Sequence, residues 1–209
     1  MWLDTFCVRW RLRLFVAALP VLFTAAASAA IAETYRIDKD HTEVRFSWDH
    51  LGMSRQSGRF IDVGGMIEFD PQQPEVSTVD VTIRVDSLIT GVTALDDQLL
   101  KSTEFFDVEK YPTIQFKSTT VTLTTAKTAN VTGDLTINGI TKPAVLSVVW
   151  NFSGEHPLSA INPTYTGVYA SGFSAKTQIL RSEWGISRTI PLVSDEIRIN
   201  IEAELLRVR

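Results

Sequence analysis

The chain holds three histidines, His41, His50 and His156, and one cysteine, Cys7. These side chains are the best suited to metal ligation or general-base work near neutral pH. His41 and His50 stand nine residues apart, near opposite ends of one alternating apolar and polar run. In a strand that odd spacing puts them on opposite faces, which is no metal-ligand pattern. Asp38 lies three residues before His41 and is placed to hold its ring. The favoured reading is a hydrogen-bonded histidine closing one end of a β structure, not a catalytic base. His156 falls in a predicted loop over residues 153–164 and is read as solvated.

Other chemistry is thinner. No G-x-S-x-G elbow occurs, and no Ser, His and acid form a recognisable arrangement. Asp96, Asp97 and Glu104 read as an exposed helix face rather than a working carboxylate pair. Gly64-Gly65 has neither the lysine nor the following helix of a phosphate loop. Inside a strand pattern, paired glycines mark a bulge or a body passing close to the backbone. In a barrel a ligand is one candidate for that body. No catalytic residue, metal or cofactor is assigned, which favours binding or structure over catalysis.

The elements that must position these residues are mostly strands. Val44, Phe46 and Trp48 alternate with polar neighbours, as do Val63, Gly65, Ile67 and Phe69, and Val79, Val81, Ile83 and Val85. Leu135 and Ile137 lead to Asn138-Gly139, a strong hairpin signal. Ala144, Leu146, Val148, Trp150 and Phe152 follow. Residues 165–178 give a softer strand, and 196–208 close the chain with Ile197, Ile199, Ile201, Ala203 and Leu205 on one face. A short helix fits 92–102, where Leu95 and Leu99 are four apart. A single helical turn fits 180–186. Phe105 and Phe106 follow the helix, and Pro112 precedes a strand with Ile114 and Phe116 inward. About eight long strands, each with one polar face, predict an all-β antiparallel sheet closed on itself, with a sandwich as the alternative.

The first 32 residues are of another kind. Arg9, Arg11 and Arg13 precede an apolar, alanine-rich run and an A-x-A site at Ala30-Ile31-Ala32. This predicts a signal peptide over 1–32, cleaved after Ala32 or, alternatively, after Ala29, and one domain over 33–209. Cleavage removes three of 20 basic residues and one of 24 acidic ones, leaving 17 against 23, a net of −6. Nucleic acid is a poor partner for such a chain. Cleavage also removes Cys7, so the expected mature protein is exported without disulfides and depends on its core.

Four segments carry a family resemblance: YRIDKDHTEVRFSWDHLG (35–52), LLKSTEFFDVEKYPTIQFKS (99–118), GDLTINGITKPAVL (133–146) and RSEWGI (181–186). Their residue types, order and spacing resemble the YceI-like family of exported, lipocalin-like polyisoprenoid-binding proteins. Two departures are visible. A histidine is common in the family near Gln98, and phenylalanine is frequent at the position of Trp184.

The resemblance implies an extended eight-stranded antiparallel lipocalin-like barrel with one or two short helices and a long apolar interior. It implies a long-chain apolar lipid inside, an isoprenoid quinone or polyprenyl derivative, and a periplasmic location. It admits a homodimer and transient membrane contact. The expected ligand-binding wall comprises Phe46, Trp48, Leu99, Phe105, Phe106, Phe116, Leu146, Phe173 and Trp184. Arg55 and Arg59, with Lys101 or Arg181, are candidates to hold a pyrophosphate or quinone head group, with ordinary charged surface as the simpler account. The alternatives to a carrier are an enzyme acting on an isoprenoid or acyl lipid through His41, and a ligand-free structural or stress protein whose core fills itself.

Overall fold

The computed structural model describes residues 32–208. The predicted signal peptide, with Cys7, lies outside the described residues but for Ala32. The order of elements is β1 (Glu33–Ile37), β2 (Glu43–His50), β3 (Ser54–Phe60), β4 (Val63–Phe69), β5 (Thr78–Arg84), β6 (Leu88–Ile89), α1 (Thr93–Lys101), β7 (Thr113–Thr125), β8 (Thr128–Ile137), β9 (Ile140–Glu155), β10 (Tyr169–Leu180) and β11 (Glu196–Arg207).

Every pairing is antiparallel. One edge of β11 carries both β1 and β2, and β1 and β2 pair in turn with β4 and β3. β5 and β6 then line up on β4 and β3. These three pairs are therefore three long strands, each broken once. With β7 to β11 they make a closed eight-stranded barrel, so the sandwich alternative is excluded. The breaks have local causes. A 3-10 turn over Lys39–His41 interrupts the first strand, and another over Val85–Ser87 interrupts the third.

Alternation delivers the interior. Val44, Trp48, Phe60, Val63, Phe69, Ile114, Phe116, Val131, Leu135, Ile137 and Leu205 are buried. Register shifts reset it. One falls between Ser118 and Thr120, after which Val121 and Leu123 take the inner side; another lies where β9 meets Gly172 and Phe173. The second corrects the sequence reading of Phe152. Trp150 faces Phe173 across the ladder, but Phe152 faces Gly172, is exposed, and leaves the inner row.

The Asn138-Gly139 hairpin forms as predicted. Both residues have positive φ, 51° and 73°, the conformation of a two-residue primed turn. Helix α1 also matches its predicted span. Gly65 is a correction. Its φ is +152°, and a Cβ there would stand 2.2 Å from the Asp80 carbonyl oxygen. The close body is the backbone of β5, not a ligand. The last long strand before the 3-10 turn at Arg181–Trp184 begins at Tyr169 rather than 165. Among the described residues, no helix is long and apolar enough to cross a membrane.

Candidate functional site

The barrel encloses a cavity of about 660 Å³, within the range of about 300–1,000 Å³ usual for small-molecule sites. Its wall is built by inward positions of every long strand. Apart from Phe116 the middle is aliphatic, with Val81, Ile83, Val131, Leu146, Val148 and Ile199 among its lining. Each end is aromatic. At the helical end Phe46 stacks on Trp48 and Phe60 (centroids 5.7 and 5.3 Å), and Phe60 meets Phe106 edge-on. At the other end Phe69 meets Trp150 and Phe173 edge-on, both at 5.2 Å.

All nine residues expected to bind a ligand line this cavity. Their placements differ in kind. Phe116 and Trp184 are buried, and Trp184 donates from Nε1 to the Leu135 carbonyl at 3.1 Å. Phe116 occupies space that only a glycine on the neighbouring strand leaves open: a Cβ on Gly133 would lie 2.5 Å from its ring. Leu99, on α1, and Phe105 and Phe106, in the turn after it, are half-buried, and no residue of α1 is buried. An element with so little burial is the natural one to open.

The helical mouth is bounded by two straps. One is α1 with the turn after it, tied down by Asn138, whose Nδ2 donates to the Phe105 carbonyl. The other runs from Gly185 to Asp195. It is organised around Arg181, a buried cation with no carboxylate among the described residues within salt-bridge distance. Its guanidinium donates to the carbonyls of Ser194, Ile186, Arg188 and Val193 at 2.9–3.0 Å. Burial lowers its pKa from the ordinary arginine value, partly opposed by the charge of Asp195. The group stays charged, as arginine does in proteins. The two straps are joined by an ion pair between Arg188 and Glu104.

The proposed head-group set does not assemble. Arg55 pairs with Asp49 and Arg59 with Glu43, both at 3.1 Å, and neither lines the cavity. Lys101 pairs with Asp97 one helical turn away, and Arg181 is occupied as described. Asp96 is drawn from its expected solvent face to accept from the Thr90 amide and hydroxyl at 2.8 and 2.6 Å.

The histidines divide three ways. His50 lines the helical mouth. His41 is exposed at the break between β1 and β2, on the flank of the barrel rather than at its end. Its Nδ1 meets Asp38 Oδ2 at 3.0 Å, as the spacing predicted, and this hydrogen bond raises its pKa above the ordinary value. Glu204 comes within 3.9 Å of the same nitrogen, a neighbour that sequence distance concealed. These three residues are the group among the described residues that could offer a metal three ligand atoms. His156 corrects its sequence reading. It is buried, its Nδ1 accepts from the Leu158 amide, and its ring stacks on Tyr165 at 3.9 Å.

A family model for the YceI-like domain matches residues 35–205. The chain belongs to the YceI-like family. A relative from Pseudomonas savastanoi pv. phaseolicola, described only as a UPF0312 protein, is 39% identical over 193 residues, covering 90% of this chain and 95% of its own. The crystal structure of the YceI protein of Campylobacter jejuni is similar at a TM-score of 0.65 and 30% identity, covering 77% of this chain and 90% of that one. A polyisoprenoid-binding domain from Saccharophagus degradans, implicated in plant cell wall breakdown, reaches a TM-score of 0.58 at 10% identity, over 85% of this chain and 99% of that one. That last likeness is one of fold alone.

Proposed function

We propose that this protein encloses a long-chain apolar lipid, an isoprenoid quinone or polyprenyl derivative, and carries it in the periplasm. The observation that carries the reading is the cavity: large, almost wholly apolar, and lined by no Asp or Glu of the described residues. Each buried methylene of a ligand contributes about 0.8 kcal/mol. An isoprenoid tail is thus retained without any polar contact. The polyisoprenoid-binding description of the Saccharophagus domain, on the same fold, supports the class of ligand. The periplasmic address rests on the signal-peptide pattern of residues 1–32. The enzyme alternative needs His41 beside the lipid, whereas His41 is not among the residues lining the cavity.

The test is mass spectrometry on a solvent extract of the mature protein, purified from its own periplasm without detergent. A stoichiometric isoprenoid species is expected. Phe116→Asp, placed in the middle of the wall, should abolish retention while the fold survives by circular dichroism. An empty extract, unchanged after incubation with membrane lipids, would overturn the carrier reading in favour of a self-filled barrel.

A further inference from the structure

Among the described residues, the charged and titratable ones that line the cavity are His50, Lys127, Arg181 and Arg188. All are basic or neutral, in a chain whose acids outnumber its bases. Three of them stand at the helical mouth. Arg188 is neutralised by Glu104 there, and Arg181 has four carbonyls around its guanidinium. Lys127 stands alone at the opposite end, on the turn between β7 and β8. Among the described residues no carboxylate lies within salt-bridge distance of it, and its Nζ sits over the Trp150 ring, 5.7 Å from the centroid.

That end is a second mouth. Leu123, Ala126 and Lys127 line the cavity and are themselves exposed, as Gln98, Arg188 and Thr189 are at the helical mouth. Ser77 also lines it. Its Oγ accepts from the Asp70 amide at 3.3 Å, which leaves the hydroxyl hydrogen available to an acceptor. Asp70 and Glu75 share that loop, but neither lines the cavity. Asp70 is buried and turns Oδ1 to the amides of Gln72 and Gln73.

We propose that the cavity takes an anionic amphiphile, a carboxylate or phosphate on a long apolar chain, with its head group at Lys127 and its tail toward α1. This rests on the lipid-binding reading above and adds the charge and the orientation of the ligand. An unpaired ammonium beside an aromatic face gains a charge-assisted hydrogen bond from such a head group, with the Ser77 hydroxyl as a second donor. A neutral alcohol gains far less.

The experiment is displacement of the neutral probe N-phenyl-1-naphthylamine by oleate, oleyl phosphate and oleyl alcohol, which share one tail. The wild-type protein should prefer both anions to the alcohol by roughly fivefold at low salt, and less at high salt. Lys127→Gln should remove that preference and leave the alcohol unchanged, while Lys127→Arg keeps it. A preference for one anion alone would name the head group. Equal binding of acid and alcohol by the wild type overturns the proposal, as does an anion preference that survives Lys127→Gln. Displacement by none of the three overturns the lipid-binding reading, and this inference with it.

Discussion

The two ends of the barrel close the same cavity by different physics. At the helical end the cover over the Phe46, Trp48 and Phe60 cluster is thin: α1 buries no residue, and the straps are held by an exposed ion pair and by one arginine bound to four carbonyls. At the other end the closure is aromatic packing, with Phe69 buried between Trp150 and Phe173 and edge-on to Tyr35 at 6.2 Å. Polar closure is directional and is lost when one partner leaves. Aromatic packing is diffuse and resists local opening. Under the lipid-binding proposal, this difference assigns ligand passage to the helical end and anchorage to the other.

The sharpest way to break that contrast is to damage each closure separately. Phe69→Ala removes a buried ring from the packed end and should cost about 3–5 kcal/mol. Denaturant unfolding measures it. A loss below 1 kcal/mol would mean that the aromatic cluster is not what closes that end. Arg181→Met keeps the bulk of the side chain but leaves four carbonyls without their donor. We expect a loss of about 2–4 kcal/mol, with amide exchange rising first across residues 186–195. Uniform exchange across the barrel would show instead that the strap is part of the global core.

How much of this was readable follows from how local each signal is. The inner row of β2 and β11 was legible, because alternation writes a wall directly into sequence. The helix, the Asn138-Gly139 turn and the Asp38–His41 contact were legible for the same reason. What failed depends on partners far away. Phe152 leaves the inner row because a bulge in β9 is invisible without its partner Gly172. Gly65 looked like room for a ligand, but its close neighbour is Asp80 on the next strand. His156 looked solvated until Tyr165 stacked on it. The head-group arginines failed in the same way: whether a cation is free depends on acids placed by the fold, and the pairing of β2 with β3 brings Asp49 to Arg55 and Glu43 to Arg59. Lys127, in a polar hairpin tip, carried no sequence signal at all.

The ion pair between the straps offers a finer test. Glu104 and Arg188 are each about half exposed, so Glu104→Gln should change stability by less than about 1 kcal/mol. Release of a bound apolar probe should nevertheless quicken, by roughly threefold, because a net contribution of that size is lost only when the mouth is closed. Stopped-flow dilution of the loaded protein reads it. The same measurement on Lys127→Gln with the neutral probe should show no change in rate. If Lys127→Gln quickens release and Glu104→Gln does not, the ligand leaves by the packed end and the comparison is inverted.

The smallest effect belongs to the wall between the ends. His41 touches neither closure, so it serves as a control for both. Its pKa is raised, first by the hydrogen bond to Asp38 and then by that carboxylate's charge. A raised folded-state value means the protonated ring is favoured in the folded protein. Its contribution to stability is therefore complete below the unfolded value of about 6.5 and fades as pH rises through the folded one. The ring is largely solvated, so the contribution stays below about 0.5 kcal/mol. An NMR titration should find His41 above 6.5 in the wild type and lowered in Asp38→Asn, while probe affinity and release stay constant across that pH range. A release rate that followed the His41 titration would tie the flank of the barrel to its mouths, and the two ends could no longer be treated as separate devices.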